Sequence, residues 1–236
     1  MRVVNWNIER HAPHTWQAVS LMEEIAELTP DVICLTEAWR QSTEAFGGFS
    51  VSASGVAWSD QHPDEQKVLL WSHHPWREVR VVDELEITGS AVTAKTLFGG
   101  VETRFVGICI PYHFANPLGQ EPRAKPWSQH ERFLQDLRPL LAHWRNEGPV
   151  IVIGDFNRRV PRSWGPKRSY AMLESALREF EIPTSGIIKE VDDLTIDHIA
   201  FSGNFKVSRI IGRPAEAADG RRRSDHFGIV VDFQSQ

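Results

Sequence analysis

Short apolar runs recur along the whole chain, and they constrain its fold more than any other feature of the sequence. Runs of this length are typical of β-strands. They occupy residues 3–8, 32–35, 68–71, 79–82, 92–97, 104–110, 150–153, 196–201, 205–211 and 227–233. Only three segments space their apolar residues as helices do, at residues 16–25, 133–144 and 170–180. The pattern therefore predicts an α+β fold in which two sheets pack together with helices outside them.

Composition restricts the class of protein. The chain has 236 residues, which predicts one domain over 1–236. Its net charge of -5 excludes a polycation, so a polyanion would need a local positive patch. Cys34 and Cys109 lie inside strand-like runs and are interpreted as reduced thiols of a cytoplasmic protein. We expect no signal peptide and no membrane association, because no apolar stretch approaches the ~20 residues that span a bilayer.

The run at 150–153 leads directly into Gly154-Asp155-Phe156-Asn157. Residues i and i+2 of an extended chain point to the same side, so Asp155 and Asn157 are predicted to face one pocket. A carboxylate beside an amide at a strand end suits a site that activates water or holds a metal.

Polar side chains also stand at four other strand boundaries. Asn7 lies in the first strand, Glu37 follows the second, Asp197 begins a late strand, and Asp225 and His226 precede the last one. Each has an ordinary structural explanation, such as a turn, a solvated acid or a structural histidine. Five together indicate a functional site. His226 is placed to pair with Asp197, which would fix its tautomer and favour its charged form.

These motifs, in this order, resemble the endonuclease/exonuclease/phosphatase superfamily, and the resemblance runs from residue 3 to residue 233. The matching segments are Trp6-Asn7-Ile8, Thr36-Glu37, Gly154-Asp155-Phe156-Asn157, Ile196-Asp197-His198-Ile199 and Ser224-Asp225-His226. The resemblance implies a four-layer α/β/β/α sandwich of two stacked mixed β-sheets flanked by helices. It also implies hydrolysis of a phosphoester that depends on Mg²⁺ or Mn²⁺.

The resemblance further assigns roles by motif. Glu37 is expected to be the main metal ligand, with Asn7 beside it and Asp225 as a further carboxylate. Asp155 is expected to orient or deprotonate the attacking water, with Asn157 assisting. His226, oriented by Asp197, is expected to meet the phosphoryl oxygens as charge builds. A hard dication with oxygen ligands suits this chemistry, because it neutralises the anionic phosphodiester.

One position departs from the superfamily pattern. Many members place a catalytic His or Tyr where this chain has Cys109, which is interpreted as a packing residue. Tyr112 or His113 is left to supply the missing donor, and we assign the role to His113. His73 and His74 occupy a segment that often carries Ser and Arg in the superfamily, and they are interpreted as structural or rim residues.

Basic residues adjoin the motifs and bear on the substrate. Arg158, Arg159 and Arg223 are expected to form a rim that holds phosphate, the alternative being a solvated loop. Trp164 either stacks on a base of the substrate or is a packing residue. The leading hypothesis is a nuclease or phosphodiesterase with nucleic acid as its substrate. A phosphatase or phosphodiesterase for a small phosphorylated molecule or lipid headgroup is the alternative, and a non-catalytic binding module is a minor one. The sequence indicates no obligate protein partner.

Overall fold

The computed structural model describes residues 1–55, 62–117 and 122–234. The helices and strands follow one another along the chain as follows: β1 (Arg2–Asn7), α1 (Trp16–Glu27), β2 (Val32–Trp39), β3 (Phe49–Ala53), β4 (Glu65–Ser72), β5 (Arg77–Val81), α2 (Asp83–Glu86), β6 (Ser90–Phe98), β7 (Val101–Cys109), α3 (Ser128–Glu147), β8 (Val150–Asp155), α4 (Lys167–Ala176), β9 (Ile187–Ile188), β10 (Asp193–Leu194), β11 (Asp197–Ser202), β12 (Val207–Arg213) and β13 (Gly228–Phe233). A 3₁₀ turn, Glu44–Phe46, precedes β3.

The strands form two large mixed sheets and one two-stranded ribbon. The first sheet has the order β12-β13-β1-β2-β4-β3, in which β1 and β2 are parallel and the other neighbours antiparallel. The second has the order β11-β8-β7-β6-β5, in which β7 and β8 are the parallel pair. The first and last strands of the chain are thus adjacent, which brings distant motifs into one sheet.

Three apolar clusters define four layers. The largest lies between the sheets and includes Val3, Leu70, Phe105 and Ile153. A second cluster joins the outer face of the second sheet to α3 and α4, and a third joins the outer face of the first sheet to α1. This confirms the predicted α/β/β/α sandwich, because each sheet buries one face against its partner and the other against helices.

The three predicted helices are present, with differences at their ends. Thr15 caps α1 by accepting the backbone N–H of Ala18 with its hydroxyl. In the sequence, Ser128 and Glu131 have the spacing that predicts a capping box at the start of α3. They do not form one: Trp127 is the N-cap of α3, and the Ser128 hydroxyl donates to the carbonyl of Lys125. Within the described residues, no helix has the length and apolar character needed to cross a bilayer.

Candidate functional site

Strand register places Asp155 at the centre of the candidate site. At the end of β8 it stands between Cys109 of β7 and Asp197 of β11, with which it is in register. The preceding residue, Gly154, has a φ of 142°, and a side chain there would overlap the carbonyl oxygen of Ile108. Only glycine fits this close approach of β7 and β8, and it sets the backbone immediately before the carboxylate.

Asp155 and Asn157 meet, although not in the way the strand pattern predicts. The backbone N–H of Asn157 donates to Oδ1 of Asp155 at 2.7 Å, and its Nδ2 donates to Oδ2 at 2.9 Å. Asn157 has a φ of 50°, so the pair is joined by a turn rather than by extended backbone. The same amide donates to the carbonyl of Ile110 at 2.8 Å, which ties the turn to the end of β7.

Asp197 and His226 form the expected pair. Nδ1 of His226 lies 2.5 Å from Oδ2 of Asp197. The backbone N–H of His226 donates to the hydroxyl of Ser224, which in turn donates to the carbonyl of Asn7. The imidazole is therefore fixed from the second sheet by Asp197 and from the first by the Ser224–Asn7 contact.

The site gathers charge away from water. Burial, reinforced by the negative charge of Asp197, raises the pKa of Asp155 to about 8. Burial alone would lower the pKa of His226, but Asp197, with help from Asp155, overcomes it and raises that pKa to about 10. At neutral pH His226 is thus an imidazolium. Ligand atoms of Asp155, Asp197 and His226 all lie within 4.8 Å of one another.

Glu37 and Asn7 complete the cluster from the first sheet. Nδ2 of Asn7 lies 3.5 Å from Oδ2 of Asp155. Glu37, with a φ of 50°, carries its carboxylate 3.4 Å from Nζ of Lys67 and 3.3 Å from Nε of Arg10. Burial opposes ionisation of Glu37, yet the charges of Lys67 and Arg10 lower its pKa.

Glu37, Lys67, Cys109, Tyr112 and Asn157 line a cavity of about 170 Å³ beside the cluster. Cys109 contributes an uncharged thiol to this cavity, because burial raises its pKa well above the usual range. Lys67 and Arg10 line the cavity with two positive charges against the one negative charge of Glu37. The cavity is therefore suited to an anion.

Backbone strain marks the same region. Glu9, Arg10, Glu37 and Asn157 all have φ between 50° and 56°, the left-handed region that costs side-chain-bearing residues energy. Such strained residues tend to cluster at functional sites, where surrounding contacts hold them in place. Here the Oδ1 of Asn7 accepts the backbone N–H of Glu9, and the N–H of Arg10 donates to the carbonyl of Glu37.

The donor set fits a hard divalent cation. Its available groups are carboxylate and amide oxygens, which Mg²⁺ and Mn²⁺ prefer. Oδ1 of Asp197 is buried and accepts no hydrogen bond in the part of the chain that the structure describes. Burial and the negative charges of Asp197 and Glu37 raise the pKa of Asp155, so they raise the cost of ionising it. A dication would offset that cost.

Two of the predicted phosphate-holding arginines are structural. Arg158 is 2% exposed, lies 4.4 Å above the ring of Trp127 and donates to the carbonyl of Pro166. Arg223 is also buried and forms an ion pair with Glu24 of α1. The expectation of a free positive rim is therefore wrong for both residues, because both side chains are buried and contact groups inside the protein.

The remaining predicted residues lie in different places. Arg159 is partly exposed and pairs with Asp193 at 3.3 Å. Asp225 is exposed, and its carboxylate stands 3.8 Å from Nε2 of His226. Trp164 is exposed, and its ring centroid lies 5.0 Å from that of His113.

His113 does not stand where the missing donor was expected. Its ring is surrounded by those of Tyr112, Phe114, Trp127 and Trp164, with centroids 4.2–6.0 Å away. Tyr112, the alternative, lines the cavity instead. Tyr112, and not His113, therefore faces the site.

Lys67, Arg10 and Asn5 belong to the site and were missed in the sequence. Asn5 donates from β1 to the carbonyls of Gly154 and His198, which links the two sheets behind Asp155. A lysine directly before the apolar run at 68–71 was the available signal for Lys67. Its proximity to Glu37 follows from the antiparallel pairing of β2 and β4, in which Thr36 opposes Val68.

Comparison with protein families matches residues 4–226 to the Endonuclease/Exonuclease/phosphatase family. The chain belongs to this family. Members of this family hydrolyse phosphoester bonds, and the chain is accordingly a phosphoesterase. A comparison with curated proteins gives no match.

Solved structures share the fold at low sequence identity. The 3′ phosphatase NExo from Neisseria, bound to a product DNA hairpin, is 17% identical with a TM-score of 0.72, and the match covers 99% of each chain. The human Nocturnin catalytic domain with bound sulfate is 18% identical (TM-score 0.71; 100% of this chain and 93% of that one). An AP endonuclease from Archaeoglobus fulgidus is 13% identical (TM-score 0.69; 99% of each chain). At such identities the likeness establishes the fold.

Proposed function

We propose that the chain is a divalent-metal-dependent phosphodiesterase that hydrolyses nucleic-acid phosphodiesters by attack of water, acting as one catalytic domain over residues 1–236. The observation that carries the proposal is the buried contact of Asp155 with Asn157, beside the Asp197–His226 pair and Glu37. It has the parts that phosphoryl transfer needs: a base, a charged donor and a group of oxygen ligands. Structural neighbours described as bound to DNA support nucleic acid as the substrate.

Asp155 is the proposed general base. Its pKa of about 8 keeps it near the operating pH, where a base accepts protons most effectively. The two hydrogen bonds from Asn157 hold both carboxylate oxygens in a fixed direction. Asp155 takes a proton from the attacking water. The water oxygen then bonds to phosphorus, and the bond between phosphorus and the leaving oxygen breaks.

His226 is proposed to stabilise the negative charge that develops on the phosphoryl oxygens. Asp197 holds Nδ1, so Nε2 remains to donate a hydrogen bond. Lys67 adds a second positive charge at the cavity, where many family members carry a catalytic His or Tyr in place of Cys109. Preorganised charges of this kind typically contribute roughly 10²–10³-fold in rate each.

Glu37 and Asn7 would hold the metal, with Asp225 as a further carboxylate. When bound, Mg²⁺ or Mn²⁺ supplies charge neutralisation and polarises the phosphoryl group. Arg159 and Trp164 are proposed to contact the substrate outside the cavity. Cys34 and Cys109 are free and buried, which fits a reducing compartment such as the cytoplasm.

A small phosphorylated molecule or lipid headgroup is the second candidate substrate. It is favoured by the burial of Arg158 and Arg223, which keeps two of the guanidinium groups expected to hold a polymer away from the surface. A non-catalytic binding module is disfavoured by the intact Asp155–Asn157 and Asp197–His226 contacts.

The test is hydrolysis of a substrate panel by the purified protein in Mg²⁺, Mn²⁺ or EDTA: a supercoiled plasmid, a single-stranded DNA, an RNA, phosphorylated sugars and a phospholipid. We expect metal-dependent cleavage of a nucleic acid, and Glu37→Gln should require more metal for half-maximal rate. Glu65→Gln, on the adjacent strand β4, is the matched control. Turnover of small phosphoesters alone would show that the substrate is a small molecule and not a nucleic acid. If the folded protein turned over no substrate of the panel, the proposal would be refuted.

A further inference from the structure

Five aromatic rings form one continuous cluster beside the cavity. They are contributed by Tyr112, His113 and Phe114 after β7, by Trp127 at the start of α3 and by Trp164 before α4. The centroids of neighbouring rings lie 4.2–6.0 Å apart. We call this cluster the aromatic shelf.

The shelf presents an unusual amount of exposed aromatic surface. Tyr112, Phe114 and Trp164 are 48%, 52% and 50% exposed. Among the described residues, Phe49 is the only other large aromatic side chain with comparable exposure, and it lies on the edge strand β3. Aromatic surface concentrated at one place commonly marks a binding site.

The shelf is held rigidly from beneath. Trp127 is buried, and its backbone N–H donates to the carbonyl of His113 at 2.7 Å. Arg158 lies against the Trp127 ring and donates to the carbonyl of Pro166. A side chain at Gly165 would overlap both Arg158 and Trp127, so the segment carrying Trp164 is closely packed. A surface fixed in this way loses little conformational entropy when it binds a ligand.

The shelf begins at the mouth of the catalytic cavity. Tyr112 lines that cavity together with Glu37, Lys67 and Asn157. A phosphate held there places the adjoining part of its substrate on the neighbouring rings. Arg123 and Lys125, which precede Trp127, are exposed and form no ion pair in the described part of the chain. They add positive charge beside the rings, as a phosphate-linked ligand requires.

Resting on the proposed function, we infer that the aromatic shelf binds an unstacked nucleobase next to the phosphodiester that is cleaved. Base–aromatic stacking needs a free base face. In a continuous duplex each base face is covered by its neighbours, whereas a single strand or a frayed end leaves faces free. The enzyme therefore prefers single-stranded or frayed nucleic acid to continuous duplex.

The test is binding of fluorescein-labelled oligonucleotides measured by anisotropy in EDTA, where turnover is blocked. One probe is a thymidine decamer, and the other is a decamer of tetrahydrofuran abasic units with the same phosphates. We expect the thymidine decamer to bind about 10-fold more tightly. Trp164→Ala and Phe114→Ala should each weaken its binding about 5- to 10-fold, while binding of the abasic probe stays unchanged.

Phe49→Ala is the matched control, because it removes a similarly exposed aromatic ring far along the chain on β3, and it should change neither affinity. Equal affinity of wild type for the two probes would overturn the inference. A second result would also overturn it: Trp164→Ala binds oligonucleotides as wild type does but no longer binds phosphatidylcholine–phosphatidylserine vesicles. The shelf would then contact a membrane and not a nucleobase.

Failure of the inference is distinguishable from failure of the proposed function. Cleavage of the thymidine decamer by wild type in Mg²⁺ is measured in parallel. Cleavage without a base-dependent affinity would refute the shelf alone. Base-dependent binding without cleavage of any nucleic acid would support the shelf as a nucleobase site and refute the proposed hydrolysis.

Discussion

At the scale of single residues, the surroundings of Asp155 act on its pKa in two opposite directions. It is buried among carboxylates, which disfavours its ionised form, yet Asn157 and the imidazolium of His226 favour that form. The balance puts its pKa at about 8. A carboxylate with an ordinary pKa would be a weak base at neutral pH, so this environment itself supports the proposed role.

Asp197 is predicted to keep His226 charged. The negative charge of Asp197 is the strongest effect that raises the pKa of His226 against the lowering effect of burial. Asp197→Asn removes this charge, so the pKa of His226 should fall from about 10 towards its ordinary value. Folding raises this pKa, so the stabilisation it provides is complete below about pH 6.5 and is lost as the pH rises through about 10. The variant should therefore lose stability relative to wild type at neutral pH.

An NMR titration of the histidine ring protons without metal measures this effect. His198, buried and hydrogen-bonded to Thr184, is the internal control, because burial lowers its pKa to about 4 and the substitution should leave that burial unchanged. A His226 that still titrates near pH 10 in the Asp197→Asn variant would contradict the assignment.

Lys67 is predicted to supply the charge-stabilising donor that a His or Tyr would supply at the position of Cys109. Lys67→Met removes the ammonium from the cavity and should lower kcat about 10²-fold, the typical loss for one charge-stabilising donor. Cys109→Ser, in the same cavity, should change kcat less than about threefold, since the thiol is uncharged. Steady-state kinetics of both variants tests this, and a larger loss in Cys109→Ser than in Lys67→Met would reverse the two roles.

At the scale of elements, an ion-pair group anchors α1 to the segment that leads into β13. Glu24 of α1 pairs with Arg213 and with the buried Arg223. Arg223 also donates to the carbonyls of Pro214 and Glu216. The group therefore holds the segment just before His226 and serves the site through position rather than through contact with phosphate.

Glu24→Ala should destabilise the protein by about 3 kcal/mol, because it leaves Arg223 buried without its counter-charge. Glu23→Ala, on the same helix, is the control and should cost less than about 0.5 kcal/mol. Urea unfolding measures both. A cost below 1 kcal/mol for Glu24→Ala, accompanied by reduced affinity for phosphate, would restore Arg223 as a substrate residue.

The sequence predicts interior elements better than edge elements. The ten apolar runs correspond to the central strands and some edges, because burial on one or both faces leaves a clear pattern. The edge strand β3 and the short helix α2 were missed, since their exposed or brief segments carry little periodicity. The capping box at Ser128 failed because the tertiary packing of Trp127 fixes where α3 begins.

At the scale of the whole molecule, most positive charge near the site is used internally. Arg159 pairs with Asp193, Arg222 with Glu9 and Arg221 with Asp219. With a net charge of -5, the protein lacks a broad attraction for a polyanion. We therefore expect nucleic acid to be held by a few contacts close to the cavity.

Salt dependence tests this expectation. If Arg10, Lys67, Arg123 and Lys125 neutralise about four phosphates, the plot of log affinity against log salt for a single-stranded decamer should have a slope of about −2.8. The same measurement on Lys67→Met should make the slope shallower by about 0.7. A slope steeper than about −4 would instead indicate an extended positive groove.

The site was predictable in its residue types and not in its surroundings. Glu37, Asp155, Asp197 and His226 stand at strand ends, where an acid or imidazole after an apolar run is a local signal. Whether Arg158 is exposed depends on Trp127 and on loops distant in sequence, and no local pattern carries that information. A run of arginines has the same composition whether it faces solvent or is buried.

Cleavage of a single-stranded DNA in Mg²⁺ by wild type and Asp155→Asn tests the central claim most directly. We predict that turnover requires the metal and falls about 10³-fold in the variant. The thermal midpoint should be unchanged or higher, since the substitution removes the cost of burying an ionisable carboxyl group. Asp83→Asn, which changes an exposed acid of α2, should cleave as wild type does. Asp155→Asn that is folded and cleaves within about tenfold of wild type would contradict the account.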